Sequence, residues 1–367
     1  MNSSTNKSSF LVKCITRGVM VLFWLGLFYF ALLIPYLSPF FQEQRSICIY
    51  TWADKIDEEI LQDFEKETGV RVYINYYDSN EELITKLEVM PYVDCDVIFP
   101  SGYIIPDLVK SNLLQKIDRS KCDFVDDLFP EFMGKFFDPQ NEYSLPIYWD
   151  VMVLGYSEKT FPEGLPSNSW EMVFDKDKVP CEKIGMIDDA REILSMQAKY
   201  LGLKKTDVNK YTIRKMRDML ISQKKWAGVY CDAQQGYFLL SGAYSLVVSY
   251  REYIVREMED NDFISCMVPE EGSLLTIDNV VISATTKKED LVYQFLNFLY
   301  SHDVYLHNAE EFSILPATKK VFEDLDQKHI GIEGLRPEIL REKNIRVFKN
   351  LLSLKQTNKF WIRVKSA

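Results

Sequence analysis

Two acidic residues, Asp189 and Glu192, form the first pattern in this sequence that could do chemistry. They occur in the segment IDDAREIL, three positions apart, and a helix places residues at that spacing on one face. A helix N-terminus favours ionised carboxylates, because the first-turn N–H groups carry partial positive charge. Such a pair could hold a cation, although ordinary capping by Asp188 or Asp189 would explain the same pattern.

A third acid, Asp278, lies within the alternating apolar segment LLTIDNVVIS. The alternation predicts a strand over Leu275–Ser283. An unpaired charge is costly to bury, so an acid in this strand either meets a cation or lies at a position open to solvent.

The catalytic and metal-binding alternatives have little support in the sequence. Two carboxylates on one helical turn cannot flank a scissile bond from opposite sides, as hydrolases usually require. No GxSxG, Walker A or Rossmann glycine pattern occurs. The seven cysteines include no CxxC pair, and the chain has only three histidines. Both observations argue against a zinc site. We therefore expect no enzymatic activity, no catalytic residue, no metal and no cofactor.

The charge balance favours cationic partners. The net charge is −11, although the first 45 residues are net positive. An acidic body repels nucleic-acid phosphates, so we expect no nucleic-acid partner. Many soluble proteins are equally acidic, and the charge alone selects no ligand.

The N-terminal segment predicts one transmembrane or signal helix. No charged residue occurs from Gly18 to Gln42, a run long enough to span a bilayer. Lys7, Lys13 and Arg17 precede it and predict a cytoplasmic N-terminus. A cleaved signal peptide would have a shorter apolar region and a small-residue cleavage site. We therefore expect residues 18–38 to anchor the chain, with cleavage as the alternative and export of the remainder in either case.

The remaining chain alternates strands and helices, which predicts an α/β fold. Strands are expected at Ser46–Trp52, Val70–Tyr77 and Cys95–Phe99, and this β-α-β-α-β order predicts a mainly parallel sheet with right-handed crossovers. The helix Ile56–Thr68 should end at Gly69. Further strands are expected at 151–156, 183–187, 244–249 and 275–283, and further helices at 189–200, 206–222, 291–300 and 304–311.

Longer segments resemble a known family. They are IYTWADKIDEEILQDFEKETGVRVYINYYDSNEELITKL, DVIFPSGYIIPDLVKSNLLQKID, YSLPIYWDVMVLGYS, IDDAREIL, VPEEGSLLTIDNVVIS and LVYQFLNFLYSHDV. Together they resemble the spermidine/putrescine-binding proteins of bacterial ABC transporters over most of residues 46–320. The resemblance implies a two-lobed type II periplasmic-binding-protein fold whose lobes close around a ligand by hinge motion. Residues 1–45 would form the tail and anchor or signal segment, 46–145 with 278–322 the first lobe, and 146–277 with 323–367 the second.

The resemblance also implies a set of ligand-binding residues in the cleft between the lobes. Trp52 and Tyr103 match aromatic residues that line it, and an indole face attracts ammonium groups. Asp189, Glu192 and Asp278 match acids that hold amines. The full set of candidates is Trp52, Ser101, Tyr103, Asp150, Asp189, Glu192, Tyr250 and Asp278. Each aromatic has a structural alternative: Trp52 could be a core residue at a strand end, and Tyr103 a surface residue at a helix N-terminus.

Several positions depart from the family pattern. Aromatic residues of the family are replaced by Lys55, Thr276 and Leu315, and a family tryptophan falls on Ser249 or Tyr250, depending on register. Asp150 replaces a glycine, and Arg251 replaces a small residue. The acids remain while much of the aromatic box is gone, which keeps a cationic ligand plausible. Lys55 and Arg251 could pair internally with the acids or could face a ligand carboxylate.

The predicted function is capture of a polyamine, putrescine or spermidine, for delivery to an ABC import permease. The protein would work at the periplasmic face of the inner membrane, or free in the periplasm if the N-terminal segment is cleaved. The alternatives are the same fold with a different ligand, such as a zwitterion or ferric iron, and a membrane-anchored sensor or scaffold.

Overall fold

The computed structural model describes residues 17–20, 22–29, 45–89, 95–179 and 183–367. The strands are β1 (Ser46–Thr51), β2 (Arg71–Tyr76), β3 (Val97–Ile98), β4 (Leu114–Gln115), β5 (Ser144–Ser157), β6 (Ile184–Met186), β7 (Ala227–Tyr230), β8 (Leu246–Tyr250), β9 (Ile264–Met267), β10 (Leu274–Ser283), β11 (Leu315–Pro316) and β12 (Arg346–Val347). The α-helices after residue 45 are α1 (Glu58–Thr68), α2 (Asn80–Val89), α3 (Ile105–Lys110), α4 (Glu171–Phe174), α5 (Ala190–Tyr200), α6 (Lys210–Gln223), α7 (Gln235–Leu240), α8 (Arg251–Met258), α9 (Glu289–Leu299), α10 (His302–Glu311), α11 (Lys319–Asp324), α12 (Gln327–Ile330) and α13 (Leu354–Lys365).

The N-terminal β-α-β-α-β unit has the predicted parallel arrangement, with β1 paired in parallel to both β2 and β3. Asp57 begins α1 by accepting a hydrogen bond from the amide of Glu59. Gly69 ends the helix in the left-handed conformation, with φ of 68°, which glycine adopts without steric cost. The predicted helix boundary at Gly69 is confirmed.

Two long strands connect the two halves of the molecule. The strand order is β2-β1-β3-β10-β5-β8-β6-β7. The first part of β5 pairs with β10, and Met152–Tyr156 pair with β8. The sequence predicted only Val151–Tyr156 as a strand, and this boundary was wrong: β5 begins at Ser144 and includes Pro146. Pro146 is opposite Asn279, where the ladder changes register, and such an irregularity accommodates a residue without an N–H.

Two hydrophobic cores stabilise the halves. One includes Phe64, Phe295 and Leu296, contributed by α1 and α9, and the other includes Trp170 and Met196, contributed by the segments around α4 and α5. The C-terminal helix α13 packs against α5 and α6. Its buried side chains join the second core.

The N-terminal segment is described only in part. Residues 17–20 and 22–29 are helical, and their large apolar side chains are exposed. Residue 21 and residues 30–38 of the predicted span lie outside the described residues. Among the residues that are described, no helix has both the length and the apolar character needed to cross a bilayer.

Candidate functional site

Asp278 is brought to the end of strand β3 by the antiparallel strand β10. Ser101, just beyond β3, forms a bridge with Asp278, and its hydroxyl donates to Asp278 Oδ1 at 2.8 Å. Burial raises the pKa of the Asp278 carboxyl to about 6, while the charge of Lys55 and the Ser101 hydrogen bond act in the opposite direction. Lys55 and Ser101 therefore offset only part of the cost of burying the Asp278 carboxylate.

Glu192, a second candidate acid, lies in the first turn of α5. Tyr250, at the end of β8, donates its hydroxyl hydrogen to Glu192 Oε1 and accepts one from Thr276 Oγ1 at 2.9 Å. Burial, and then the charge of Asp189, raise the pKa of Glu192 well above its usual value, although the Tyr250 hydrogen bond opposes this. Thr276 and Asp278 are two positions apart on one face of β10, about 7 Å along the strand. β10 thus brings both acids into one site.

Asp189 has internal partners in this structure. Its carboxylate caps α5 by accepting from the amides of Arg191 and Glu192, and it forms an ion pair with the Arg191 guanidinium. The same guanidinium pairs with Glu81 of α2 and lies 4.9 Å from the ring centroid of Tyr103. Arg191 therefore connects α5 to the opposite half of the molecule. This role of Arg191 was not predicted, because nothing in the segment DDARE indicates a partner as distant as Glu81.

Asp150 also has internal partners for both oxygens. Oδ1 accepts from Arg251 Nε at 3.1 Å and from the Val151 amide at 2.7 Å, and Oδ2 accepts from the Glu252 amide at 3.0 Å. Arg251 is fully buried, and its remaining nitrogens donate to the backbone carbonyls of Ser313, His329 and Ile330. Internal pairing, one of the two possibilities for Arg251, is the one observed. Both oxygens of the Asp150 carboxylate therefore take part in one buried network.

Lys55 forms a second buried ion pair. Its Nζ lies 2.5 Å from Glu252 Oε2, and the two side chains are only 9% and 8% exposed. The Tyr148 hydroxyl donates to the Lys55 carbonyl at 3.0 Å and fixes the backbone at this point. Glu252, in the first turn of α8, was not among the predicted residues. Its neighbour Arg251 departs from the family pattern and was considered instead.

The aromatic candidates lie beside the acids. The Trp52 ring packs on Tyr77 with centroids 4.4 Å apart, and its indole N–H is buried and has no hydrogen-bond partner among the residues that are described. Tyr103 accepts a hydrogen bond from Asn80 Nδ2 at 3.0 Å. An unpartnered buried N–H is uncommon in proteins, and it leaves Trp52 with a donor to offer. Tyr77, which packs against the Trp52 ring, is itself buried and was not among the predicted residues.

The ion pairs leave two acids of the cleft without a cation. Asp150, Asp189 and Glu252 pair with Arg251, Arg191 and Lys55 respectively. Across the described ranges, neither Glu192 nor Asp278 lies within ion-pair distance of a Lys, Arg or His nitrogen. Where the chain is described, no group of three His, Cys, Asp or Glu side chains could hold a metal ion.

Comparison with known proteins defines the class. Residues 59–329 match the bacterial extracellular solute-binding protein family, and the chain belongs to this family. A putrescine-binding periplasmic protein of Escherichia coli is 26% identical over 314 residues, which cover 81% of this chain and 84% of that protein. A spermidine/putrescine-binding periplasmic protein of Salmonella typhimurium is 26% identical over 271 residues, covering 73% of this chain and 76% of the relative.

Solved structures share the fold. The substrate-binding protein of a spermidine/putrescine ABC transporter from Streptococcus pneumoniae superposes with a TM-score of 0.76 at 26% identity, covering 88% of this chain and 99% of that one. A lipoprotein of Treponema pallidum gives a TM-score of 0.74 at 20% identity, covering 87% and 99%. The architecture is therefore the mixed α/β, two-lobed fold of the periplasmic binding proteins.

Proposed function

We propose that this protein captures a polyamine, putrescine or spermidine, between its two lobes and delivers it to an ABC import permease, without catalysing a reaction. The observation that carries the proposal is the pair of acids, Glu192 and Asp278, for which the described part of the chain supplies no ion-pair partner, although three neighbouring acids are paired. Burial raises the pKa of both carboxyl groups. A ligand with two ammonium groups would supply the missing charges. The names of the relatives point to the same ligand class.

Each candidate residue has a proposed role. Asp278 and Glu192 pair with ammonium groups, and Ser101 and Tyr250 orient these carboxylates through the hydrogen bonds described above. Trp52 and Tyr103 pack on the methylene chain of the ligand. Asp189 acts by holding Arg191, and Asp150 by holding Arg251. We propose the lobes as residues 46–145 with 278–322 and residues 146–277 with 323–367.

Closure of these lobes would strengthen the binding. Ammonium and carboxylate groups attract each other more strongly when water is excluded from between them. Arg191, which pairs with Glu81 and lies over the Tyr103 ring, would join the lobes in the closed state. The closed protein would then be the form that docks on the permease.

The N-terminal segment is the proposed membrane anchor. Its helical residues expose large apolar side chains such as Phe23, Trp24 and Phe28, and Lys7, Lys13 and Arg17 precede them. Such an anchor would keep the receptor near its permease and raise its effective concentration there. Resistance of the full-length protein to alkaline extraction of membranes is the expected result. Release into the soluble fraction with an unprocessed N-terminus would contradict anchoring.

Calorimetric titration tests the ligand assignment. The full-length protein, freed of bound ligand by unfolding and refolding, is titrated with putrescine and with spermidine. We expect saturable binding of at least one amine. Absence of heat with both amines, in protein shown to be folded by circular dichroism, would overturn the proposed function.

A further inference from the structure

Lys55 places a buried, ion-paired side chain inside the cleft. Its side chain is 9% exposed, and Nζ contacts Glu252 Oε2 at 2.5 Å. Its backbone carbonyl is held by the Tyr148 hydroxyl, so the residue is fixed at both its main chain and its charged end. Its charge also reaches Asp278, where it is the largest of the charges that act on that carboxylate.

This arrangement limits how many ligand charges the cleft can neutralise. Glu252, Asp150 and Asp189 each form an ion pair within the protein. Their partners are Lys55, Arg251 and Arg191 respectively. Of the five acids named for this site, Glu192 and Asp278 have no ion-pair partner among the described residues and remain for a ligand. A third ammonium group near the Asp278 end would meet Lys55 instead of an acid, and like charges in a poorly solvated site repel each other strongly.

Strand β10 is the element that links these two acids. Asp278 is on β10, and Glu192 reaches the same strand through the hydroxyl groups of Tyr250 and Thr276. Thr276 and Asp278 are two positions apart on this strand, about 7 Å along the backbone. A diamine carries one ammonium group for each of the two acids, whereas a triamine is longer and carries one more charge.

We propose that the Lys55–Glu252 ion pair makes this cleft selective for a short diamine over a triamine. The inference rests on the proposed function, and it assigns Lys55 as a specificity-determining residue. Lys55 neutralises the acid that would otherwise hold the third ammonium group and repels that group directly.

Titration of the full-length protein with putrescine and spermidine tests the proposal. We expect the wild-type protein to bind putrescine at least about tenfold more tightly than spermidine. Both ammonium groups of the diamine meet a carboxylate, whereas the third ammonium group of the triamine meets the charge of Lys55. Lys55→Met releases Glu252, and we expect the ratio of the two affinities to move toward spermidine by about tenfold or more. Lys55→Arg keeps the charge and is the matched control, in which the preference for putrescine remains.

A double variant separates the two effects of Lys55. Lys55→Met combined with Glu252→Gln removes the cation and also the released acid, so we expect most of the gain in spermidine affinity to disappear. If Lys55→Met does not fold, the wild-type affinity ratio decides the matter, and Glu252→Gln tests whether Lys55 acts on a ligand bound at Asp278. Glu252→Gln leaves Lys55 without its carboxylate partner near Asp278, and we expect the affinity for both amines to fall by about tenfold.

The outcomes distinguish this proposal from the proposed function. Equal affinity of the wild-type protein for both amines, or an unchanged ratio in a folded Lys55→Met variant, would overturn the selectivity while leaving the polyamine receptor intact. Absence of binding by either amine to the wild-type protein would instead overturn the proposed function, and the selectivity with it.

Discussion

Replacement of Asp278 by asparagine should separate ligand affinity from stability. Burial raises the pKa of this carboxyl from 3.8 to about 6, so an ionised Asp278 at pH 7 costs the ligand-free protein roughly 3 kcal/mol. A ligand ammonium group recovers this cost only where the carboxylate is present. We therefore expect Asp278→Asn to weaken putrescine binding by about 100-fold, the equilibrium factor for roughly 3 kcal/mol.

The stability of the ligand-free protein should change in the opposite direction. A neutral amide removes the cost of the buried charge, so the free energy of unfolding at pH 7 should rise by up to about 3 kcal/mol. Because the native state of the wild-type protein holds this proton more tightly than the unfolded state, its stability should increase as the pH falls from about 6 to about 4. This increase should be smaller in the variant.

Calorimetry at pH 7 gives the affinity, and urea unfolding of the ligand-free protein gives the stability. Asp118→Asn is the control, since Asp118 is an exposed acid that caps a short helical turn and should leave binding unchanged. Putrescine affinity within about threefold of wild type, a difference of about 0.7 kcal/mol, would refute the assignment of Asp278 as a ligand-binding acid.

Three further predictions follow from the same contacts. Asp150→Asn leaves the buried Arg251 guanidinium without its charge partner and should lower the free energy of unfolding by about 3–5 kcal/mol; an unchanged urea midpoint would contradict this. Arg191→Met removes the contact with Glu81 and should weaken putrescine binding by about three- to tenfold, whereas Arg217→Met, which breaks an ion pair with an adjacent residue, should have no effect in the same calorimetric assay. Finally, putrescine affinity should fall below a pH of about 6, by about tenfold per pH unit for each carboxylate that must lose a proton; constant affinity measured between about pH 5 and pH 8 would exclude this protonation step.

Local patterns in the sequence predicted most of the elements near the site. Asp189 caps α5, and Glu192 lies in its first turn, as the spacing in DDARE indicated. The alternating segment around Asp278 forms β10. These features depend on residues a few positions apart, and short-range backbone geometry is enough to predict them.

The state of each acid depended on distant residues. Lys55 and Glu252 are 197 positions apart, and Asp150 and Arg251 are 101 positions apart. A sequence shows that acids and bases are present, but only the folded chain determines which of them meet. For this reason the sequence left Lys55 and Arg251 with two possible roles. It also predicted Asp150 and Asp278 alike as ligand-binding residues.

The sequence by itself determined the α/β class, the order of the first strands and helices, the resemblance that located the cleft, and its acidic character. The tertiary structure decided that β5 extends back to Ser144 and that Asp150, Asp189 and Glu252 form internal ion pairs, whereas Glu192 and Asp278 form none with the residues that the structure describes. The physical reason is that periodicity and capping are local, whereas an ion pair forms wherever the fold brings two charges within a few ångströms, however far apart they are in the chain.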